Sequence, residues 1–286
     1  MAACSGPGKT APHQPTASKA APPTYYLALG DSLSVGVQPD AAGASVLTKA
    51  GYADQLYAAL RPGHPTLRLV KLGCPGETTD TMIHGGICRY QGGSQLAAAV
   101  AFLRAHRGRV ALITIDIGAN DVEQCSGSPD LARLATCTKD LPHTTAHLTT
   151  VVTRMKAAAK GVTIVAMNYY LPALAEWRNG LTGRTVAWLA EKLAVSYNNS
   201  LDQVYQAARI KVANVFAAFD TANFGDGAGG LPRNVTLVCR WTWECAASPR
   251  GPNQHANSAG YQVIARTFRE ILGPNGLGSS PPAGLR

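Results

Sequence analysis

Leu27–Val37 reads LALGDSLSVGV. An apolar run stops at Gly30 and leaves a small acid, Asp31, and a hydroxyl, Ser32, at the break. Gly, Asp and Ser serve ordinary turns, because glycine reaches conformations other residues avoid and short polar side chains bond their own backbone. A nucleophile mounted on the corner where a buried strand ends has the same composition. The rest of the chain has to separate the two.

Outward from this stretch, β-like runs lie at Tyr25–Leu29, Leu67–Leu72, Val110–Asp116, Val162–Met167 and Ile210–Val215. They are apolar rather than alternating, as strands buried on both faces require. Helical spacing fills the intervals: Tyr52–Leu60, Ser94–Arg107, Leu141–Lys160, Leu181–Ala208 and Ser258–Leu272. In the second of these, Leu96, Val100 and Leu103 share a face and Ser94 stands as the cap. Strands alternating with helices predict an α/β fold with a mainly parallel sheet covered on both faces. In such sheets ligands collect at the carboxyl ends of the strands.

The chain has 286 residues, 46% of them hydrophobic and 15% charged, enough for one large domain with a substantial core. No apolar run reaches the roughly 18 residues needed to span a bilayer. Residues 5–23, SGPGKTAPHQPTASKAAPP, offer little apolar surface and read as a disordered tether; GPNGLGSSPPAGLR, from Gly273, reads the same way. The expected division is a start and tether over 1–23, a folded domain over 24–273 and a tail over 274–286. The net charge of +9 reads first as a solvated basic surface, which could also favour anionic lipid or an acidic cell wall. With no nucleic-acid motif and no dense Lys/Arg run, nucleic acid is not an expected partner.

Seven cysteines divide into a solitary Cys4 and three close pairs, Cys74/Cys88, Cys125/Cys137 and Cys239/Cys245. Six cysteines allow fifteen connectivities; the neighbour pairing, which closes three short loops, is the expectation, against six free thiols in a cytosolic protein. Paired cysteines point to an oxidising compartment and hence to export. No pair has the C-x2-C spacing of a zinc site, and neither a metal nor a cofactor is expected. Met1-Ala2-Ala3-Cys4 resembles the end of a bacterial lipobox, although no apolar segment precedes it. A lipidated Cys4 would anchor the protein to the membrane at the cell envelope; without it the protein would be secreted.

Four segments stand at predicted strand ends or just before the last helix: Gly30-Asp31-Ser32, KLGCPGETT (71–79), IDIGAND (115–121) and GPNQHANSAGY (251–261), which holds His255. A serine hydroxyl needs an adjacent base, usually His. Acyl transfer also needs donors aimed at the developing oxyanion. The Gly76 N–H, the two amide hydrogens of Asn120 and the Ser32 N–H could supply them. Singly, each of these residues reads as a turn or a cap; the ordered set carries the functional reading.

That set, GDSLSVG, CPGETT, GAND and a late His before a helix, resembles the SGNH hydrolases, also called GDSL esterases and lipases, over about residues 24–272. The three cysteine pairs and MNYYLPALAEW resemble secreted actinobacterial members. The resemblance implies a three-layer α/β/α sandwich of flavodoxin-like shape and hydrolysis of a small-molecule or lipid ester through an acyl-enzyme. It makes Ser32 the nucleophile, His255 the general base, and the Ser32 amide, Gly76 and Asn120 the oxyanion hole. A monomer is expected.

One departure stands out. Where the family places an Asp three residues before the His, this chain has Pro252, followed by Asn253 and Gln254. A backbone carbonyl in Gly251–Asn253 could accept the His255 Nδ1–H and give a Ser–His dyad, which is the favoured expectation. A distant acid, Asp220 or Asp226 in FDTANFGDG, could serve instead, or the enzyme could be impaired. Asp31 is expected to bond nearby backbone N–H groups and shape the turn, and Asp116 and Asp121 to do similar work. Leu171, Leu174 and Trp177 either line an acyl pocket or, the stronger expectation, pack in the core. The sequon Asn234-Val235-Thr236 matters only in a host that glycosylates it. Two rivals stay open: a carbohydrate O-deacetylase on the same fold, and a non-catalytic envelope-binding protein whose only support is the missing Asp.

Overall fold

The structure, a computed structural model, describes residues 22–126 and 139–274 together with Met1 and Leu277, and for residues 123–126 the backbone alone. Cys4, the Cys125/Cys137 pairing, the tether up to residue 21 and most of the tail lie outside what it describes.

Five strands form the main sheet: β1 (Thr24–Gly30), β4 (Leu67–Lys71), β5 (Val110–Asp116), β6 (Thr163–Met167) and β7 (Lys211–Ala213). Their spatial order is β4-β1-β5-β6-β7 and every pairing is parallel. Counted along the chain within the sheet, this is the order 2-1-3-4-5 of a flavodoxin-like fold, whose strand order reverses at β1. The crevice at that reversal, between the carboxyl ends of β1 and β5, is where such a sheet binds its ligand. A short antiparallel hairpin, β2 (Val37–Pro39) and β3 (Ser45–Leu47), stands apart.

The central strands are buried along most of their length, with Tyr26, Leu27, Ala28 and Leu29 of β1 wholly covered. Helices α3 (Thr79–His84), α4 (Gln95–Ala105), α6 (Leu141–Ala158) and α7 (Gly180–Ala207) pack on one another as one layer. Helices α2 (Tyr52–Leu60), α8 (Val215–Ala218), α9 (Arg233–Trp241) and α10 (Ser258–Leu272) cover the other face. Between β1 and β2 lies α1 (Ser32–Val35), and after β5 comes α5 (Ala119–Ser126). The Ser94 hydroxyl accepts from the Ala97 N–H and starts α4, as the sequence predicts.

The last strand is shorter than the Ile210–Val215 run. Asn214 turns the chain by accepting the Ala217 N–H and starts α8 instead. Asn234 of the sequon is fully buried, and its amide donates to the Thr221 carbonyl, so the folded protein does not present it. Among the described residues no helix is long and apolar enough to cross a membrane.

Candidate active site

The corner after β1 is built around Gly30. Its φ of +130° and the Asp116 carbonyl, 1.9 Å from where a Cβ would stand, admit only glycine. The buried Gln95 side chain substitutes for a missing strand neighbour. Its Oε1 accepts the Gly30 N–H at 2.7 Å and its Nε2 donates to the Gly30 carbonyl at 2.9 Å. The Asp31 N–H donates to the Asp116 carbonyl at 3.0 Å. Asp31 caps α1, its Oδ1 accepting the Leu33 N–H at 2.9 Å, while Asp116 Oδ2 takes the Ser34 N–H at 3.1 Å. Both acids therefore shape the turn and hold Ser32 as the first residue of a one-turn helix.

The acids are buried and tied to tyrosines. Tyr52 donates to Asp116 at 2.5 Å and Tyr169 to Asp31 at 3.2 Å. Burial, reinforced by the charge of Asp31, pushes the Asp116 carboxyl well above the usual carboxylate range; the Tyr52 hydroxyl acts in the opposite direction.

The loop after β4 is anchored at Cys74, whose N–H donates to the Gly30 carbonyl at 3.0 Å and whose sulfur is bonded to Cys88. Gly76 follows with φ +81°; the space a Cβ would occupy is open, so conformation rather than crowding calls for glycine. Asn120, in the first turn of α5, donates Nδ2 to the Glu77 carbonyl at 2.8 Å. That uses one of its two amide hydrogens. Asp121 accepts the Thr79 N–H at 2.9 Å and the Thr79 hydroxyl at 2.5 Å, fastening α5 to the start of α3. Burial raises the Asp121 carboxyl, and Thr79 acts against that rise.

The third support carries His255. Residues 241–243 run beside residues 253–257: the Trp243 N–H donates to the His255 carbonyl at 3.0 Å and the Asn257 N–H to the Trp241 carbonyl at 2.9 Å. Cys239–Cys245 brackets that template, and the Tyr170 hydroxyl donates to the Gln254 carbonyl at 2.9 Å. The group within hydrogen-bond distance of His255 Nδ1 is not a backbone carbonyl but the side chain of Asn253, with Oδ1 at 2.8 Å. An Asn two residues earlier folds its short side chain back over the turn and reaches the ring first. The distant acids lie elsewhere: Asp220 pairs with Arg233, and Asp226 lines a separate cleft with Trp177 and Arg184. Burial pushes the His255 imidazole down to about 4, so the ring is neutral at neutral pH.

Ser32, Asn120 and His255 line one cavity of about 140 Å³, with an apolar wall that includes Leu33, Leu141, Leu171, Leu193 and Ala194. Gly76 lies outside that wall, on the loop whose Glu77 carbonyl holds Asn120. Of the three apolar residues weighed as acyl contacts, only Leu171 faces the cavity. Leu174 is core, and Trp177 joins Arg184 and Phe224 in a separate cleft. The sequence reading missed Tyr169 and Tyr170, which follow β6 after Asn168; their place just past the end of a fourth strand was the available signal. It also missed the α7 face formed by Ala190, Leu193, Ala194 and Tyr197, whose helical spacing looks like ordinary core.

Residues 28–263 match the profile of the GDSL-like Lipase/Acylhydrolase family. Among solved structures, the extracellular lipase of Streptomyces rimosus is similar at 18% identity and a TM-score of 0.59, over 86% of this chain and 99% of that one. Phospholipase A1 of Streptomyces albidoflavus NA297 is similar at 18% identity and 0.58, over 87% and 99%. A lipase from a goat rumen metagenome is similar at 17% identity and 0.56, over 90% and 100%. At these identities the likeness is one of fold. No curated protein sequence matches the chain.

Proposed function

The chain belongs to the GDSL-like lipase/acylhydrolase family of carboxylic ester hydrolases, and on that premise we propose that Ser32 is its nucleophile and His255 its general base. The observation that carries this reading is that Ser32, Asn120 and His255 line the same cavity after arriving from three distant parts of the chain. Ser32 Oγ attacks the ester carbonyl carbon while His255 Nε2 takes its proton. The carbonyl oxygen becomes an oxyanion, held by the Ser32 N–H, the second amide hydrogen of Asn120 and the Gly76 N–H. The intermediate collapses, and the leaving alcohol takes the proton from His255. Water, deprotonated by His255, then attacks the acyl-enzyme, releases the acid and restores Ser32.

The apolar wall favours a fatty-acyl ester over an acetylated sugar, because an acetyl group would leave most of that wall without a contact. The similar solved proteins include lipases and a phospholipase A1. Two disulfides among the described residues support export; attachment through a lipidated Cys4 rests on the sequence alone.

A fluorophosphonate probe with mass-spectrometric mapping tests the assignment. Labelling is expected at Ser32 and lost in Ser32→Ala, with ester hydrolysis falling about 10⁴–10⁶-fold and Tm unchanged. Labelling elsewhere, or labelling that persists in Ser32→Ala, would overturn it. Among p-nitrophenyl esters, acyl chains longer than acetyl are expected to be hydrolysed with the higher kcat/KM.

A further inference from the structure

We infer that the side-chain amide of Asn253 is the positioning group for His255: it fixes the imidazole as the Nδ1–H tautomer and leaves the Nε2 lone pair free to take a proton. This rests on the reading of Ser32 and His255 as nucleophile and base. The backbone itself identifies the atom that faces the ring. One terminal atom of Asn253 lies 3.0 Å from the His255 backbone nitrogen and 2.8 Å from Nδ1. A peptide N–H can only donate, so that atom is an acceptor, Oδ1 and not Nδ2. An amide oxygen cannot donate, so the hydrogen between it and the ring belongs to Nδ1.

Asn253 is itself held. Its N–H donates to the Trp243 carbonyl at 3.2 Å, and the Trp243 N–H donates to the His255 carbonyl. Acceptor and ring thus hang from one residue inside the Cys239–Cys245 bracket. The Asx turn supplies at position 253 what Pro252 cannot supply one residue earlier.

The amide differs from a carboxylate in one consequential respect. It orients the ring without a charge to hold the imidazolium. The titratable and charged groups around this site are Asp31, Tyr169, Tyr170 and Tyr197 on the cavity side, Glu244 beside Trp243, and Arg250 stacked over the Trp243 ring. Burial keeps His255 neutral, and so able to accept a proton, down to about pH 4. A carboxylate at 253 would raise that limit.

The experiment compares the wild type, Asn253→Ala and Asn253→Asp, by ¹⁵N NMR of the His255 imidazole and by the pH dependence of kcat/KM on a p-nitrophenyl ester. In the wild type the Nδ1–H tautomer is expected, with the acid limb near pH 4. In Asn253→Ala the tautomers should mix and kcat should fall at least about tenfold, within the span of a general base's contribution. In Asn253→Asp the acid limb should move up by about 1–3 pH units, since a neighbouring carboxylate favours the charged ring. An Nε2–H tautomer in the wild type would overturn the inference. So would an unchanged tautomer in Asn253→Ala, or a loss of kcat in both variants with the acid limb unmoved. Failure of the dyad itself registers separately, as absence of fluorophosphonate labelling at Ser32 in the wild type. The NMR tautomer decides on Asn253 in that case too.

Discussion

Around Ser32, support comes from inside the sheet. Gly30 is locked against Asp116, its polar groups are matched by a buried Gln95, and Asp31 and Asp116 are themselves buried and bonded to tyrosines. Around His255, support comes from a loop of partly exposed residues: three backbone bonds to residues 241–243, one hydroxyl from Tyr170, and a neutral amide two residues away. The proposed nucleophile is held by the same contacts that hold the fold. The proposed base is held by a local frame outside the sheet. Loss of a contact that supports Ser32 should therefore appear as lost stability, and loss of one that supports His255 as lost activity in a folded protein.

The sharpest test of that contrast lies where the sheet meets the chemistry. Asn120→Ala removes a proposed oxyanion donor and a single hydrogen bond to Glu77. It should cost about 2.7–4 kcal/mol of transition-state stabilisation, read as a fall of about 10²–10³ in kcat. A wild-type kcat in Asn120→Ala would remove Asn120 from the reaction.

The two disulfides brace the two regions separately. Replacing Cys74 and Cys88 with Ser opens a loop with a separation of 14 residues and should lower the unfolding free energy by about 3 kcal/mol. The Cys239–Cys245 loop, with a separation of 6, should cost less, about 2 kcal/mol, yet lower kcat more, because it brackets the template for His255. Denaturant midpoints and kcat on both double variants check this. If the kcat losses came in the opposite order, the bracket would not be what positions the base.

The smallest effect is in acid. The folded-state value of His255, about 4, lies below the ordinary 6.5. Between those values the unfolded chain binds a proton that the folded protein does not. The ring's contribution to stability is therefore complete above about pH 6.5, declines as the pH falls toward 4, and levels off below. Discounted for the ring's contact with solvent, the loss is on the order of 1–2 kcal/mol, and His255→Gln should abolish it. Unfolding free energies at pH 7 and pH 4 in both proteins give the comparison. At the Ser32 corner the sign reverses: Asp116 is raised, so its contribution is complete at low pH and declines as the pH rises through its folded value.

The elements were legible wherever the signal was short-range. Val110–Asp116 is a strand to the residue, Tyr52–Leu60 and Ser258–Leu272 are helices to the residue, and Asp31 caps its turn as its side chain suggests. The predicted strand ends pointed the segments of Ser32, Gly76, Asn120 and His255 toward one edge of the sheet; the structure brings Ser32, Asn120 and His255 to one cavity and leaves Gly76 outside its wall. The acceptor for Nδ1 was harder, because Asn253 and the backbone carbonyls of 251–253 are equally capable in composition. Only the return of Trp243 alongside the loop turns the amide inward.

Periodicity and turn chemistry act over a few residues, and they made the chain an α/β sheet with Ser32 on a strand-end corner. Which side chains face the cavity was settled at longer range. Leu171 faces it, while Leu174, three residues on, is buried in the core, and Leu193 and Ala194 join it from a helix that reads as core. Those outcomes depend on packing between segments tens to hundreds of residues apart, such as Tyr169 on Asp31 and Tyr170 on Gln254, where one apolar or polar residue serves as well as another until its neighbours arrive.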